Sequence, residues 1–218
     1  KITNLELRQS CSEVTMWSRI NLPCLVRTPN IHVYNEYTRK HRVYICNVYV
    51  TSGYPTAVLN RDQEWTFPEP NNVAQATGLA TGTTTSGLSI NSLLKGNQLQ
   101  VYVSTAFSAN TTGAKLVVMI LEDGIIASQA NYTSYYGGVD PIPQFEHNHT
   151  LRHAITDVFG DPIANTSANS KNRQVFNIPV PSTVNNAEKM SIVALIVASD
   201  NKVINVAGEK VGFDHDFQ

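Results

Sequence analysis

The chain has 218 residues, of which 42% are hydrophobic and 15% charged, and its formal net charge is −1. A nearly neutral chain has no electrostatic attraction to DNA, RNA or an anionic lipid surface, so a nucleic-acid-binding protein is not expected. No apolar run approaches the roughly 20 residues that a membrane-spanning helix needs. The length allows one large domain or two small ones, each with a hydrophobic core.

The first 66 residues contain all three cysteines, namely Cys11, Cys24 and Cys46, which are separated by 13 and 22 residues. No C-x-x-C pair occurs, so neither a zinc knuckle nor a dithiol redox motif is indicated. The segment HVYNEYTRKHRVY (32–44) has the pattern of a short amphipathic helix. The segment SGYPTAVLNRDQEW (52–65) has the pattern of a turn, a strand and a second turn.

A Pro-, Gly-, Asn- and Thr-rich segment at 67–87, FPEPNNVAQATGLATGTTTSG, is typical of a linker. After it, short apolar or alternating segments are separated by turn signals, with no helical pattern between them. This arrangement predicts an antiparallel β-sandwich over residues 88–218. Its predicted strands are QLQVYVSTAFS (98–108), AKLVVMILED (114–123), IIASQANY (125–132), FEHNHTLRHAITDVFG (145–160), RQVFNIPVP (173–181), KMSIVALIVAS (189–199) and VINVAGEKV (203–211).

Three histidines, His147, His149 and His153, fall within the predicted strand at 145–160, and alternation places them on one side of it. Two histidines two residues apart on an exposed strand can chelate a metal, but zinc needs a further ligand that the sequence does not place. We therefore predict an internal strand of the sandwich without a metal, whose polar groups bond neighbouring loops. A metal site and a catalytic site are the alternatives.

Other candidate chemistry is sparse. The neighbouring carboxylates Glu122 and Asp123 are interpreted as solvated turn residues. No nucleophile elbow, phosphate-binding loop or dinucleotide fingerprint occurs, so we expect no catalytic residues and no cofactor.

The segment NYTSYYGGVDPIPQ (131–144) is a candidate binding loop, because it places Tyr132, Tyr135 and Tyr136 beside a Gly-Gly pair between two predicted strands. Loops on a rigid scaffold commonly carry binding, and tyrosine combines a large contact area with a polar tip. The alternative is an ordered loop that covers an edge of the sandwich.

Two groups of motifs carry a family resemblance. SGYPTAVLNR (52–61) resembles the cis-proline segment of a thioredoxin-like domain, which implies a cis bond between Tyr54 and Pro55. HNHTLRHAITDVFGDPI (147–163) and MSIVALIVASDNKVINVAGEKV (190–211) resemble the C-terminal domain of the twenty-eight-kilodalton outer-membrane protein family of Bacteroidota. The likeness covers about residues 52–218.

The resemblance implies a mainly β protein, with an incomplete or degenerate thioredoxin-like α/β region at 1–66 before the sandwich. It also implies a non-catalytic surface lipoprotein of the outer membrane, attached through a lipid anchor upstream of Lys1. Such a protein would be an accessory subunit or ligand-presenting module of a TonB-dependent nutrient-uptake complex, with outer-membrane proteins as partners. An adhesin or matrix-binding module is the second hypothesis. A thiol-disulfide oxidoreductase is the third, and the missing C-x-x-C disfavours it.

Overall fold

A computed structural model of the chain describes residues 24–27, 56–64, 74–75, 78, 83–131 and 134–217. The predicted helix at 32–44, the Tyr54–Pro55 bond, Cys11 and Cys46 lie outside these ranges. The strands are β1 (Cys24–Arg27), β2 (Thr56–Leu59), β3 (Gln63–Glu64), β4 (Ser86–Lys95), β5 (Gln98–Phe107), β6 (Lys115–Glu122), β7 (Ile125–Gln129), β8 (Ile142–His147), β9 (Thr150–Ala154), β10 (Asp161–Pro162), β11 (Ser170–Pro179), β12 (Met190–Val197), β13 (Val203–Lys210) and β14 (Asp214–His215). Within the described ranges, 3₁₀ turns lie at Tyr135–Gly138 and Ala187–Lys189.

Two antiparallel sheets form the sandwich, which confirms the mainly β prediction. The outer sheet has the strand order β11-β5-β4-β14. The central sheet has the order β10-β6-β12-β13, and β9 pairs with β6 on the same side as β10. The predicted closing hairpin is present as β12 and β13, and the predicted strand at 173–181 begins three residues earlier, at Ser170.

The central sheet is buried on both faces, which explains why β6 and β12 are continuous apolar runs, KLVVMILE and MSIVALIV. One face packs against the outer sheet through residues such as Leu116, Val118 and Ile120. The other face forms a second hydrophobic cluster. In it, residues of β6 and β12 such as Val117 and Val193 pack with Ala154 and Val158. Close packing of this kind fixes the positions of the loops between the strands.

The described part of the N-terminal region is a three-stranded antiparallel sheet of order β1-β2-β3. The predicted strand and turn within 52–65 are confirmed as β2 and the turn after it. Leu59 is fully buried, the carbonyl oxygen of Asn60 accepts a 2.9 Å bond from the backbone N–H of Val203, and Lys202 lies 2.7 Å from Asp62. This sheet therefore contacts the β12–β13 turn, and the described strands do not confirm a thioredoxin-like α/β fold.

The prediction of one continuous internal strand over residues 145–159 is wrong. β8 ends at His147 and pairs with β7 in a separate two-stranded sheet, whereas β9 begins at Thr150 and pairs with β6. Between them His149 has a φ of +56°, which is incompatible with an extended strand. The chain turns here because the side chain of Asn148 accepts a 2.8 Å bond from the backbone N–H of Gly124.

Candidate functional site

The candidate binding loop is the tip of the hairpin formed by β7 and β8. Its base is closed by Asn131, which is buried and whose backbone N–H donates a 2.9 Å hydrogen bond to Oδ1 of Asp140. The side-chain amide of Asn131 donates a second bond, of 3.1 Å, to the carbonyl oxygen of Val139. The Asp140–Pro141 peptide bond is cis. The two hydrogen bonds of Asn131 hold the ends of the loop together.

The tip itself is a 3₁₀ turn, Tyr135–Gly138, in which Tyr136 and both glycines have positive φ. A tyrosine in this conformation is uncommon. The ring of Tyr136 packs edge-to-face on Phe145, with ring centroids 5.8 Å apart, and Phe145 in turn packs on His147 at 4.9 Å. This row of three rings connects the tip to the buried end of β8. Of the other predicted tyrosines, Tyr132 lies outside the described residues and Tyr135 is placed only by its backbone in the turn.

Large hydrophobic side chains are exposed on this hairpin. Ile126 is 58% exposed, Tyr136 48% and Val139 51%. A single exposed hydrophobic residue is ordinary, but three on one short hairpin make this element a candidate for contact with another molecule. The register of β7 and β8 places Ile126 on the face opposite Phe145 and the Tyr136 ring that packs on it. We call this element, with Ile126, Tyr136 and Val139, the docking hairpin.

The three histidines do not share one face, because the chain turns between them. His147 is buried on β8, opposite Ile125 of β7. His149 lies in the turn, and His153 lies on β9 opposite Ile120. Within the described ranges, no group of three or more His, Cys, Asp or Glu residues is arranged to hold a metal ion.

His149 is held by the end of the neighbouring turn. Its backbone N–H donates a 2.6 Å hydrogen bond to Oδ1 of Asp123, and its ring Nδ1 lies 3.9 Å from the same atom. Burial lowers the pKa of His149 below its ordinary value of 6.5, and the charge of Asp123 offsets part of this effect. Asp123 thus stabilises the turn between β8 and β9 through the backbone.

The interpretation of Glu122 as a solvated turn residue is wrong. Glu122 is 1% exposed, and its Oε2 lies 3.0 Å from Nε of Arg152, which is also buried. The backbone N–H groups of Asn185 and Asn186 also donate to this carboxylate, at 3.0 and 2.6 Å. Burial lowers the pKa of Arg152, and the charge of Glu122 raises it.

A β-bulge explains how Arg152 reaches Glu122. Along β9 the register passes from Leu151, opposite Leu121, to His153, opposite Ile120, so Arg152 is the extra residue. A bulge of this kind redirects one side chain without ending the strand. The hydroxyl of Thr183 also donates a 2.8 Å bond to the carbonyl oxygen of Arg152. Hydrogen bonds to Glu122 and Arg152 therefore fix the segment before β12 to the central sheet.

The fold and the docking hairpin together define a class of protein: a β-sandwich that presents a hairpin with exposed hydrophobic side chains. The sequence pattern of the outer membrane protein family Omp28 matches residues 43–215. The chain therefore belongs to the Omp28 family, which confirms the resemblance found in its motifs, and it is an outer-membrane protein. The described residues include no helix long and apolar enough to cross a membrane.

A solved structure shares the fold. HBP35 of Porphyromonas gingivalis is 15% identical, with a TM-score of 0.66, and the match covers 84% of this chain and 62% of HBP35. A protein from Agrobacterium tumefaciens is 10% identical, with a TM-score of 0.43, over 87% of this chain and 76% of its own. No curated protein matches the chain. The likeness to HBP35 thus concerns the fold alone.

Proposed function

We propose that this protein is a non-catalytic, lipid-anchored protein of the outer-membrane surface. In this proposal it acts as an accessory, ligand-presenting subunit of a nutrient-uptake complex around a TonB-dependent transporter. Membership of the Omp28 family supports the outer-membrane location. The docking hairpin is the observation that carries the proposed role, because it exposes three hydrophobic side chains beside a rigid sandwich.

The hairpin suits a protein partner because its contact residues are exposed but held in place. The hydrogen bonds of Asn131 close the base of the loop, and the ring of Phe145 supports Tyr136. Little conformational freedom is therefore lost on association. Burying a side chain such as Ile126 or Val139 against a partner contributes about 1.5–3 kcal/mol. Tyrosine is also among the residues that most often dominate the energy of protein interfaces.

The proposal is tested by affinity purification from solubilised outer membranes, with the captured proteins identified by mass spectrometry. The wild-type protein should retain a TonB-dependent transporter. A double variant, Ile126→Ser with Val139→Ser, should retain much less of it, because two hydrophobic contacts are lost. Val175→Ser is the matched control, since Val175 is 46% exposed on β11 of the outer sheet, and this variant should behave like the wild type.

Two results would contradict the proposal. Equal recovery of the transporter by the wild type and the double variant would remove the docking hairpin from the interface. Binding to extracellular-matrix proteins, with no transporter recovered, would instead support the adhesin hypothesis for the same hairpin.

A further inference from the structure

The outward face of the outer sheet carries an open groove of about 650 Å³, a volume within the range of small-molecule sites. Its floor is formed by β4 and β5, where Ser89 lies opposite Ser104, and on its other side Ser104 lies opposite Arg173 of β11. The side chains of these two serines are short, whereas those of Asn91 and Tyr102, the next outward pair along β4 and β5, are longer. The groove is thus a depression created by side-chain size on a regular sheet.

The C-terminal segment supplies one wall of the groove. β14 pairs with β4 so that Asp214 lies opposite Asn91, and their side chains are hydrogen-bonded. The turn before β14 is attached at Gly212, whose backbone N–H donates a 3.1 Å bond to the hydroxyl of Ser92. The wall is therefore fixed to the floor by backbone and side-chain bonds.

The polar side chains of the floor are held in one arrangement. The hydroxyl of Tyr102 donates to the side-chain oxygen of Gln100, and the amide nitrogen of Gln100 donates a 2.6 Å bond to Asn177. The guanidinium of Arg173 lies over the ring of Tyr102, 4.6 Å from its centroid. Groups fixed before binding lose little entropy when a ligand arrives.

We propose that this groove binds a neutral oligosaccharide. Sugar hydroxyls each donate and accept hydrogen bonds, and the groove offers amides and hydroxyls with both capacities, such as Asn91, Gln100 and Ser104. Leu93, which is 54% exposed, gives an apolar contact for the C–H face of a sugar ring. The chemistry of the lining therefore matches a ligand rich in hydroxyl groups that also has apolar faces.

The charges of the groove disfavour ionic ligands. Arg173 is the cation and Asp214 the anion among its lining residues, so the two charges balance. An anionic ligand would be attracted by Arg173 but repelled by Asp214. A cationic ligand would be attracted by Asp214 but repelled by Arg173. A neutral ligand can accept from Arg173 and donate to Asp214 at the same time, which gives charge-assisted hydrogen bonds in both directions.

The test is a titration of ¹⁵N-labelled protein with maltohexaose, cellohexaose, xylohexaose, mannohexaose and chitohexaose, followed by NMR and calorimetry. At least one probe should bind saturably, with shift changes concentrated on the outward residues of β4, β5 and β11. Gln100→Ala and Arg173→Ala should each weaken binding at least tenfold. Ser104→Tyr should abolish binding, because it fills the groove without removing a charge. Gln98→Ala, which alters an exposed residue at the start of β5, should leave binding unchanged.

Several outcomes would overturn the proposal. The first is that none of the five probes binds saturably to the folded wild-type protein. The second is that the groove variants bind as tightly as Gln98→Ala while their melting temperatures equal that of the wild type. The third is that polygalacturonate, an anionic polysaccharide, binds more tightly than every neutral probe. Shift changes confined to the docking hairpin would equally place the ligand elsewhere. None of these outcomes bears on the hairpin, whose partner is tested separately.

Discussion

The carboxylate of Glu122 lies 3.0 Å from Nε of Arg152, and both side chains are almost completely buried. The same carboxylate accepts hydrogen bonds from two backbone N–H groups of the segment that precedes β12. One buried acid therefore connects β6, the bulge of β9 and that segment. Removal of one member of such a group leaves the other charge buried without compensation, which is costly.

Substitution Glu122→Gln should accordingly lower the free energy of unfolding by about 3 kcal/mol, at the lower end for a broken buried pair because the amide oxygen can still accept hydrogen bonds. Urea unfolding followed by circular dichroism measures this change. Glu188→Gln is the control, since Glu188 is exposed in the neighbouring 3₁₀ turn, and its effect should stay within about 0.5 kcal/mol. Equal free energies of unfolding for the two variants would show that the buried Glu122–Arg152 pair does not stabilise the fold.

Gly160, between β9 and β10, should not tolerate a side chain. Its φ is +90°, and a Cβ there would lie 2.8 Å from Cβ of Lys115 and 3.2 Å from the carbonyl oxygen of Leu116. Gly160→Ala should destabilise the fold by about 2–3 kcal/mol, from backbone strain and the close contacts together. Gly96→Ala is the matched comparison, because Gly96 also has positive φ but open space around it, and about 1 kcal/mol is expected. Thermal melts that rank the two variants in the reverse order would contradict this reasoning.

His149 should make the stability depend on pH. Because its pKa is lowered on folding, the unfolded chain binds more protons than the folded chain between the folded pKa and the ordinary value of 6.5. Stability should therefore be greatest above that value and should fall as the pH drops through it. His149→Asn should remove this component, since asparagine tolerates the positive φ and its backbone N–H can still donate to Asp123. Melting temperatures of both proteins from pH 5 to 8 provide the comparison, and parallel curves would exclude the effect.

The strands of the sandwich could be predicted because their signals are local. β6 and β12 are apolar throughout, since both faces of the central sheet are buried, and β5 alternates because only one of its faces is buried. The break at His149 could not be predicted from alternation, because it depends on hydrogen bonds to residues 24 or more positions away in the chain. Because the predicted strand was assumed to continue across that break, the three histidines were wrongly predicted to share one face.

The candidate sites differ in the same way. The candidate binding loop was indicated by its own residues, a tyrosine-rich segment with a Gly-Gly pair between two strands, and its binding role stays a prediction. The burial of Glu122 requires a bulge on β9 and backbone groups at Asn185 and Asn186, none of which has a local signal near residue 122. The groove on the outer sheet likewise depends on the register of three strands, which brings Ser89, Ser104 and Arg173 into one row.

The central claim, that the docking hairpin contacts a transporter, is tested most directly by site-specific photo-crosslinking in the outer membrane. A p-benzoylphenylalanine at position 126 replaces an exposed residue of the hairpin, and the same group at position 95 replaces the exposed Lys95 at the end of β4. Illumination should give an adduct with a TonB-dependent transporter from position 126 and none from position 95. No transporter adduct from position 126, or the same adduct in equal yield from both positions, would contradict the account.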